Sequence, residues 1–112
     1  MLGKLAVLLG AGVVATALAA APPAAAQVVG GDVETGQKLA QEWCSGCHMV
    51  DAKTTEARDA VPSFAAIAKM PSTTSMSLRA WLQTPHPRMP DWQLTGQQIN
   101  EVVAYILSLR GG

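Results

Sequence analysis

Apolar residues are spread along this chain in two different ways. From Leu5 to Ala21 they run on almost unbroken, interrupted only by Gly10, Gly12 and Thr16. From Val33 onward they recur at helical spacing, separated by polar positions and proline-containing loops. Asp32 is a good N-cap, and Leu39 and Trp43 lie four apart behind it, which predicts a helix over Val33–Trp43. Met49 to Val61 is polar and mixed, the pattern of a loop. Phe64 and Ile67 predict a short helix within Pro62–Lys69, and Pro71 prevents its continuing far. Ser72, Thr73 and Thr74 offer caps for a third helix ending near Gln83, with Leu78, Trp81 and Leu82 on one face. The segment Thr84–Pro90, TPHPRMP, is too rich in proline for helix or central strand. Thr95 and Gln98 then form a T-x-x-Q capping box, followed by Ile99, Val102, Val103, Ile106 and Leu109 at helical spacing up to Arg110, with Gly111 and Gly112 beyond. No alternating strand pattern of useful length occurs. The expected class is all-α, with three to four helices joined by long loops.

The unbroken apolar run belongs to a different kind of segment. Met1–Lys4 supplies one positive charge before it, and Pro22, Pro23 and the alanines Ala24, Ala25 and Ala26 follow it. That is the layout of a secretory signal peptide, residues 1–26, with cleavage after Ala26 leaving residues 27–112 as one domain. An uncleaved anchor is the alternative, because the run of 17 residues reaches the lower limit for spanning a bilayer. The cleavage-like alanines favour removal, and no stable membrane insertion is expected after it. The leader inflates the 49% hydrophobic content of the chain. What remains has one Phe, one Tyr and three Trp, a marginal core of the kind that recruits a covalent or metal staple. Basic and acidic residues balance at eight each, and Lys4 leaves with the leader. No basic stripe remains, which argues against nucleic acid as a partner.

Candidate chemistry is concentrated in WCSGCHMV, residues 43–50. A structural zinc site wants four ligands, and only Cys44, Cys47, His48 and the distant His86 are on offer, with His86 set between prolines. A dithiol oxidoreductase places C-x-x-C after a strand, and no strand is predicted here. A bare Cys44–Cys47 disulfide would close too small a loop to stabilise much. C-x-x-C-H is also the attachment signature of c-type haem. Two thiols three positions apart fall on one side of a helical turn, where each can add to a porphyrin vinyl group, and the next residue, His48, is aimed at the iron. Zinc and disulfide chemistry have no use for that adjacency. Bacterial c-haem is attached outside the cytoplasm, so leader and motif support each other.

Over Gly31–Arg110 the chain resembles small bacterial class I c-type cytochromes. The resemblance is carried by GDVETGQKLAQEWCSGCH, VPSF, PHPRMPDW and EVVAYILSLR. It implies a cytochrome c-like fold, with N- and C-terminal helices crossing beside one covalent haem held through Cys44 and Cys47. It also implies His48 and a methionine as axial ligands, since methionine stabilises Fe(II). Of the four methionines in the domain, Met49 adjoins His48 and cannot reach the opposite face. Met76 lies in a predicted helix, where methionine is more often core filler. The family keeps its ligand in a loop before the last helix, which selects Met89, flanked by Pro87 and Pro90; Met70 and His86 are the remaining candidates. Pro62 matches the family proline whose carbonyl accepts the other imidazole N–H, its alternative role being a helix N1 proline. Gly36 and Ala40 match the helix-crossing positions, facing Val102 and Tyr105. The family often carries an aromatic where Ala40 stands, so a looser crossing is expected. Phe64 and Trp81 are expected pocket walls, while Trp92 and Arg88 could face solvent or a haem propionate.

The resemblance further implies a periplasmic, monomeric electron carrier rather than an enzyme. Its partners would be redox proteins, a periplasmic dehydrogenase or a membrane oxidase or reductase. Lys38 and Lys53 flank the cysteine motif and are the expected cations near the exposed haem edge. The alternative is an open-iron haem protein, a peroxidase or gas-binding sensor.

Overall fold

The structure, a computed structural model, describes Gly3, residues 9–20 and residues 30–111. The expected cleavage point after Ala26, half of the leader and Gly112 lie outside the described residues. Among the described residues no helix is long and apolar enough to cross a membrane.

Four α-helices follow one another: α1 (Val33–Leu39), α2 (Phe64–Lys69), α3 (Ser75–Gln83) and α4 (Gly96–Ser108). Each begins where a side chain satisfies an orphan N–H of the first turn. Asp32 accepts from Thr35 N at 2.7 Å, Ser63 from Ala66 N at 3.1 Å and Thr74 from Ser77 N at 3.0 Å. Thr95 and Gln98 close the expected reciprocal box at 3.2 and 2.9 Å. Hydrogen bonds from Thr35 hold the exposed Asp32 carboxyl below its ordinary pKa, so the cap's contribution is present above pH 3.8 and fades as pH falls through the depressed value.

Two boundaries differ from the sequence reading. The first helix stays α-helical only to Leu39 and continues as a π-helical turn over Ala40–Cys44. Ser45 N bonds to Ala40 O at 3.0 Å, five residues back, which widens the turn just where Trp43 and Cys44 must swing away from the helix axis. Pro62 is not a helix N1 residue either: Ser63 is the cap of α2 and Pro62 precedes it, leaving the proline carbonyl outside the helix.

The helices pack on α4, whose Ile99, Val102, Val103 and Ile106 are buried against Ala40, Phe64 and Leu78. The α1–α4 crossing is tighter than the expectation drawn from Ala40. Ala40 is fully buried, and a Cβ placed on Gly36 would lie 1.9 Å from the Glu101 carbonyl oxygen. Backbone meets backbone directly, with no aromatic between. Gly31, just before the Asp32 cap, makes the same approach: its Cβ would lie 2.1 Å from Asn100 O. Gly36→Ala should therefore force the helices apart and cost at least about 1–3 kcal/mol. Thermal unfolding of the haem-loaded protein should show a midpoint lower by roughly 4–8 °C per kcal/mol; an unchanged midpoint would refute the close approach.

The C-terminus is tied back as well. A short 3₁₀ turn, Leu109–Gly111, ends α4, and Arg110 donates to Ala68 O at 2.9 Å and to the Thr73 carbonyl, clasping the α2–α3 junction.

Candidate functional site

The π-helical turn delivers the chain into the cysteine motif. Cys47 N and His48 N both bond back to Cys44 O, at 3.1 and 2.9 Å, so Cys44 through His48 form one compact turn. Cys44 is half-buried and Cys47 exposed, and no disulfide joins them. Burial pushes the Cys44 thiol up to about 11, the opposite of the lowered pKa that a dithiol oxidoreductase needs. Among the described residues no three His, Cys, Asp or Glu side chains converge as a metal site would require, which removes the zinc reading.

The three residues after the second cysteine are pinned one by one. His48 Nδ1 lies 2.7 Å from Pro62 O. A carbonyl can only accept, so Nδ1 carries the proton and Nε2 keeps its lone pair for a ligand. Met49 O accepts from Phe64 N at 2.9 Å, and Val50 O accepts from the Tyr105 hydroxyl. Burial, and then the Asp51 charge, raise the Tyr105 pKa, which keeps the phenol protonated as a donor. The Phe64 ring packs against the imidazole with centroids 5.2 Å apart, so this expected wall is on the proximal side.

A mainly apolar, solvent-open cleft lies between the first, third and last helices and the proline-rich loop. Cys44 and Met89 both line it, together with Trp43, Trp81, His86 and Trp92. His48 and Cys47 are not among its walls. Met89 is brought there by a tight turn in which His86 and Met89 pair and Arg88 takes a positive φ of 67°. The other methionines lie elsewhere. Met70 is the C-cap of α2 and 43% exposed. Met76 is 80% exposed on α3, which overturns its reading as core filler: it sits on the outward face of that helix. Trp81 is 58% exposed, yet its ring lies 3.8 Å from that of His86 and lines the cleft. Trp92 stacks on Trp43 with centroids 6.0 Å apart and an interplanar angle of 17°.

These residues fit a covalently held haem. Two thiols share one turn, an imidazole beside them has Nδ1 occupied and Nε2 free, and a thioether lines an apolar cleft. His86 Nε2 is buried there with no protein partner, a polar atom left for water or a bound group to satisfy.

Sequence reasoning missed three parts of this arrangement. Gly31 and the Tyr105 hydroxyl act through contacts distant in sequence. Arg58 is the third: its Nη2 donates to Ser45 O at 2.9 Å and Gly46 O at 2.6 Å, directly on the cysteine turn. Lys38, an expected cation, is instead ion-paired with Glu34 at 2.8 Å.

Comparison with known proteins bears on the chain as a whole. Residues 31–106 match the model of the family described as cytochrome c oxidase, cbb3-type, subunit III. Cytochrome c-552 of Bradyrhizobium diazoefficiens is 40% identical over 79 residues, covering 70% of this chain and 76% of that protein. No solved structure matches. The chain belongs to this cytochrome c family. As a small bacterial c-type cytochrome it carries covalent haem c and transfers electrons. Membership also implies redox partner proteins and a place in the periplasm or at a membrane.

Proposed function

We propose that the protein is a periplasmic one-electron carrier, not an enzyme, with its haem joined to Cys44 and Cys47 and its iron held between His48 and Met89. The bound haem supplies reversible one-electron cycling between Fe(III) and Fe(II). The chain's own residues do the rest. Pro62 O fixes the His48 tautomer and ring orientation, strengthening it as a ligand. The proline-stiffened turn at His86–Pro90 holds Met89 in the cleft. With His48 and Met89 both holding the iron, the haem would supply electron transfer without taking up a substrate. The observation that carries this reading is the His48–Pro62 contact beside the cysteine turn, because it frees one imidazole nitrogen for a metal.

The 1–26 leader, cleaved after Ala26, would deliver residues 27–112 to the periplasm as a monomer. There the partners would be a periplasmic dehydrogenase or a membrane oxidase or reductase. Membership of a family named for an oxidase subunit supports the membrane oxidase among these. An optical spectrum of the oxidised protein tests the ligand set. The weak far-red band of Met–Fe(III) is expected; its absence, with ready binding of added cyanide, would instead mean an open iron.

A further inference from the structure

The cation on the cysteine turn is one that no motif marks. One terminal nitrogen of Arg58 bonds to the carbonyls of Ser45 and Gly46, the two residues that separate the thiols. Carbonyl pairs facing a guanidinium form charge-assisted bonds, stronger than neutral ones. The backbone that presents Arg58 is itself unusual. Arg58 and Val61 exchange both backbone hydrogen bonds, at 3.0 and 2.8 Å, across a two-residue turn. Asp59 and Ala60 both take positive φ, 51° and 63°, a conformation costly for residues with a Cβ. Strain of this kind persists only where the surroundings over-determine it. The residue after the turn is Pro62, whose carbonyl holds His48 Nδ1 at 2.7 Å. One strained turn thus grips the attachment motif at two points, the cysteine turn through Arg58 and the axial histidine through Pro62.

We propose that Arg58 is a positioning residue for electron transfer. It locks the Ser45–Gly46 turn and keeps a fixed positive charge at the thiol edge of the haem, where that charge favours the reduced iron. Reduction adds one negative charge to the haem, so a nearby cation stabilises Fe(II) over Fe(III). Arg58 is only partly exposed and its side chain is held by two bonds, so water and salt weaken the effect without removing it. Arg58 has no acidic partner among the described ion pairs, whereas the nearby Lys38 is neutralised by Glu34. This rests on the reading of Cys44, Cys47 and His48 as the haem-holding residues.

The test compares haem-loaded wild type with Arg58→Met, Arg58→Gln and Arg58→Lys by spectroelectrochemical titration. The far-red band and thermal midpoint are followed alongside. Arg58→Met and Arg58→Gln should both shift the reduction potential negative, lowering the Fe(II):Fe(III) ratio at a fixed applied potential a few-fold, with the far-red band retained. Gln keeps a donor for one carbonyl, so it separates charge from hydrogen bonding should Met prevent folding. Arg58→Lys should stay near wild type, and the Met and Gln differences should shrink with added salt. An unchanged potential in the neutral variants overturns the proposal, as does a Lys variant shifted as far as they are. Wild-type protein without covalent haem would count against the underlying site reading instead.

Discussion

Replacing both cysteines, Cys44→Ala with Cys47→Ala, should abolish covalent haem and leave a largely unfolded chain. The core is thin for a domain of this size. Its largest fully buried side chains are Val102, Val103 and Ser63, and much of its remaining aromatic surface faces the cleft. Trp43, Trp81 and Trp92 line that cleft, and the protein part of the molecule leaves Trp81 and Trp92 58% and 45% exposed. Burying an aromatic side chain contributes roughly 1.5–3 kcal/mol, while net stability is only about 5–15 kcal/mol. Losing the group on which these side chains pack therefore removes a decisive share. The loops between α1 and α2, and between α3 and α4, also lose what they wrap. Circular dichroism should show little helix in the double variant, and its near-ultraviolet signal should vanish. A folded, helical variant lacking haem would show that the α1–α4 crossing alone sustains the domain.

Met89→Ala should leave the haem attached and lower its potential, on the order of 0.2 V given that axial ligands span about 0.8 V across haem proteins. Cys44, Cys47 and His48 are untouched by the change, so attachment survives. The thioether is a soft ligand that favours Fe(II), and its loss favours Fe(III). The far-red band should disappear, and added cyanide or imidazole should bind more readily. Met70→Ala is the control. Met70 caps α2 at the surface and is not among the cleft's walls, so its variant should keep both band and potential. His86→Ala is the second control, since His86 Nε2 is the other unpaired donor in the cleft. If Met70→Ala abolishes the band while Met89→Ala keeps it, or if wild type lacks the band and only His86→Ala opens the iron to cyanide, Met89 is not the ligand.

Much of this protein was legible along the chain because it is encoded locally. Helical periodicity, the Thr95–Gln98 capping box and the proline-rich TPHPRMP segment depend on neighbours a few residues apart. The C-x-x-C-H motif is local as well, since one turn must present two thiols and an imidazole together. The all-α class and the haem chemistry therefore followed from sequence. Local rules could not decide how the backbones meet. Ala40 suggested a loose crossing, yet Gly31 and Gly36 bring α1 onto the backbone of α4, a contact between residues more than sixty positions apart. Helical pattern placed Met76 in a helix but not on its exposed face, because which side is buried depends on where α4 lies. The same holds for charge. Lys38 and Lys53 flank the motif in sequence, but the cation on the cysteine turn is Arg58, brought there by a left-handed two-residue turn that no composition rule predicts. The helices, their caps and the attachment turn could be read from the chain, because each is fixed by short-range sterics and hydrogen bonds. Only the tertiary structure decided the α1–α4 contact, the shared cleft of Cys44 and Met89, and the anchoring of residues 48–50 by Pro62, Phe64 and Tyr105. Those contacts close long loops, and their partners are chosen by packing rather than by neighbours in the chain.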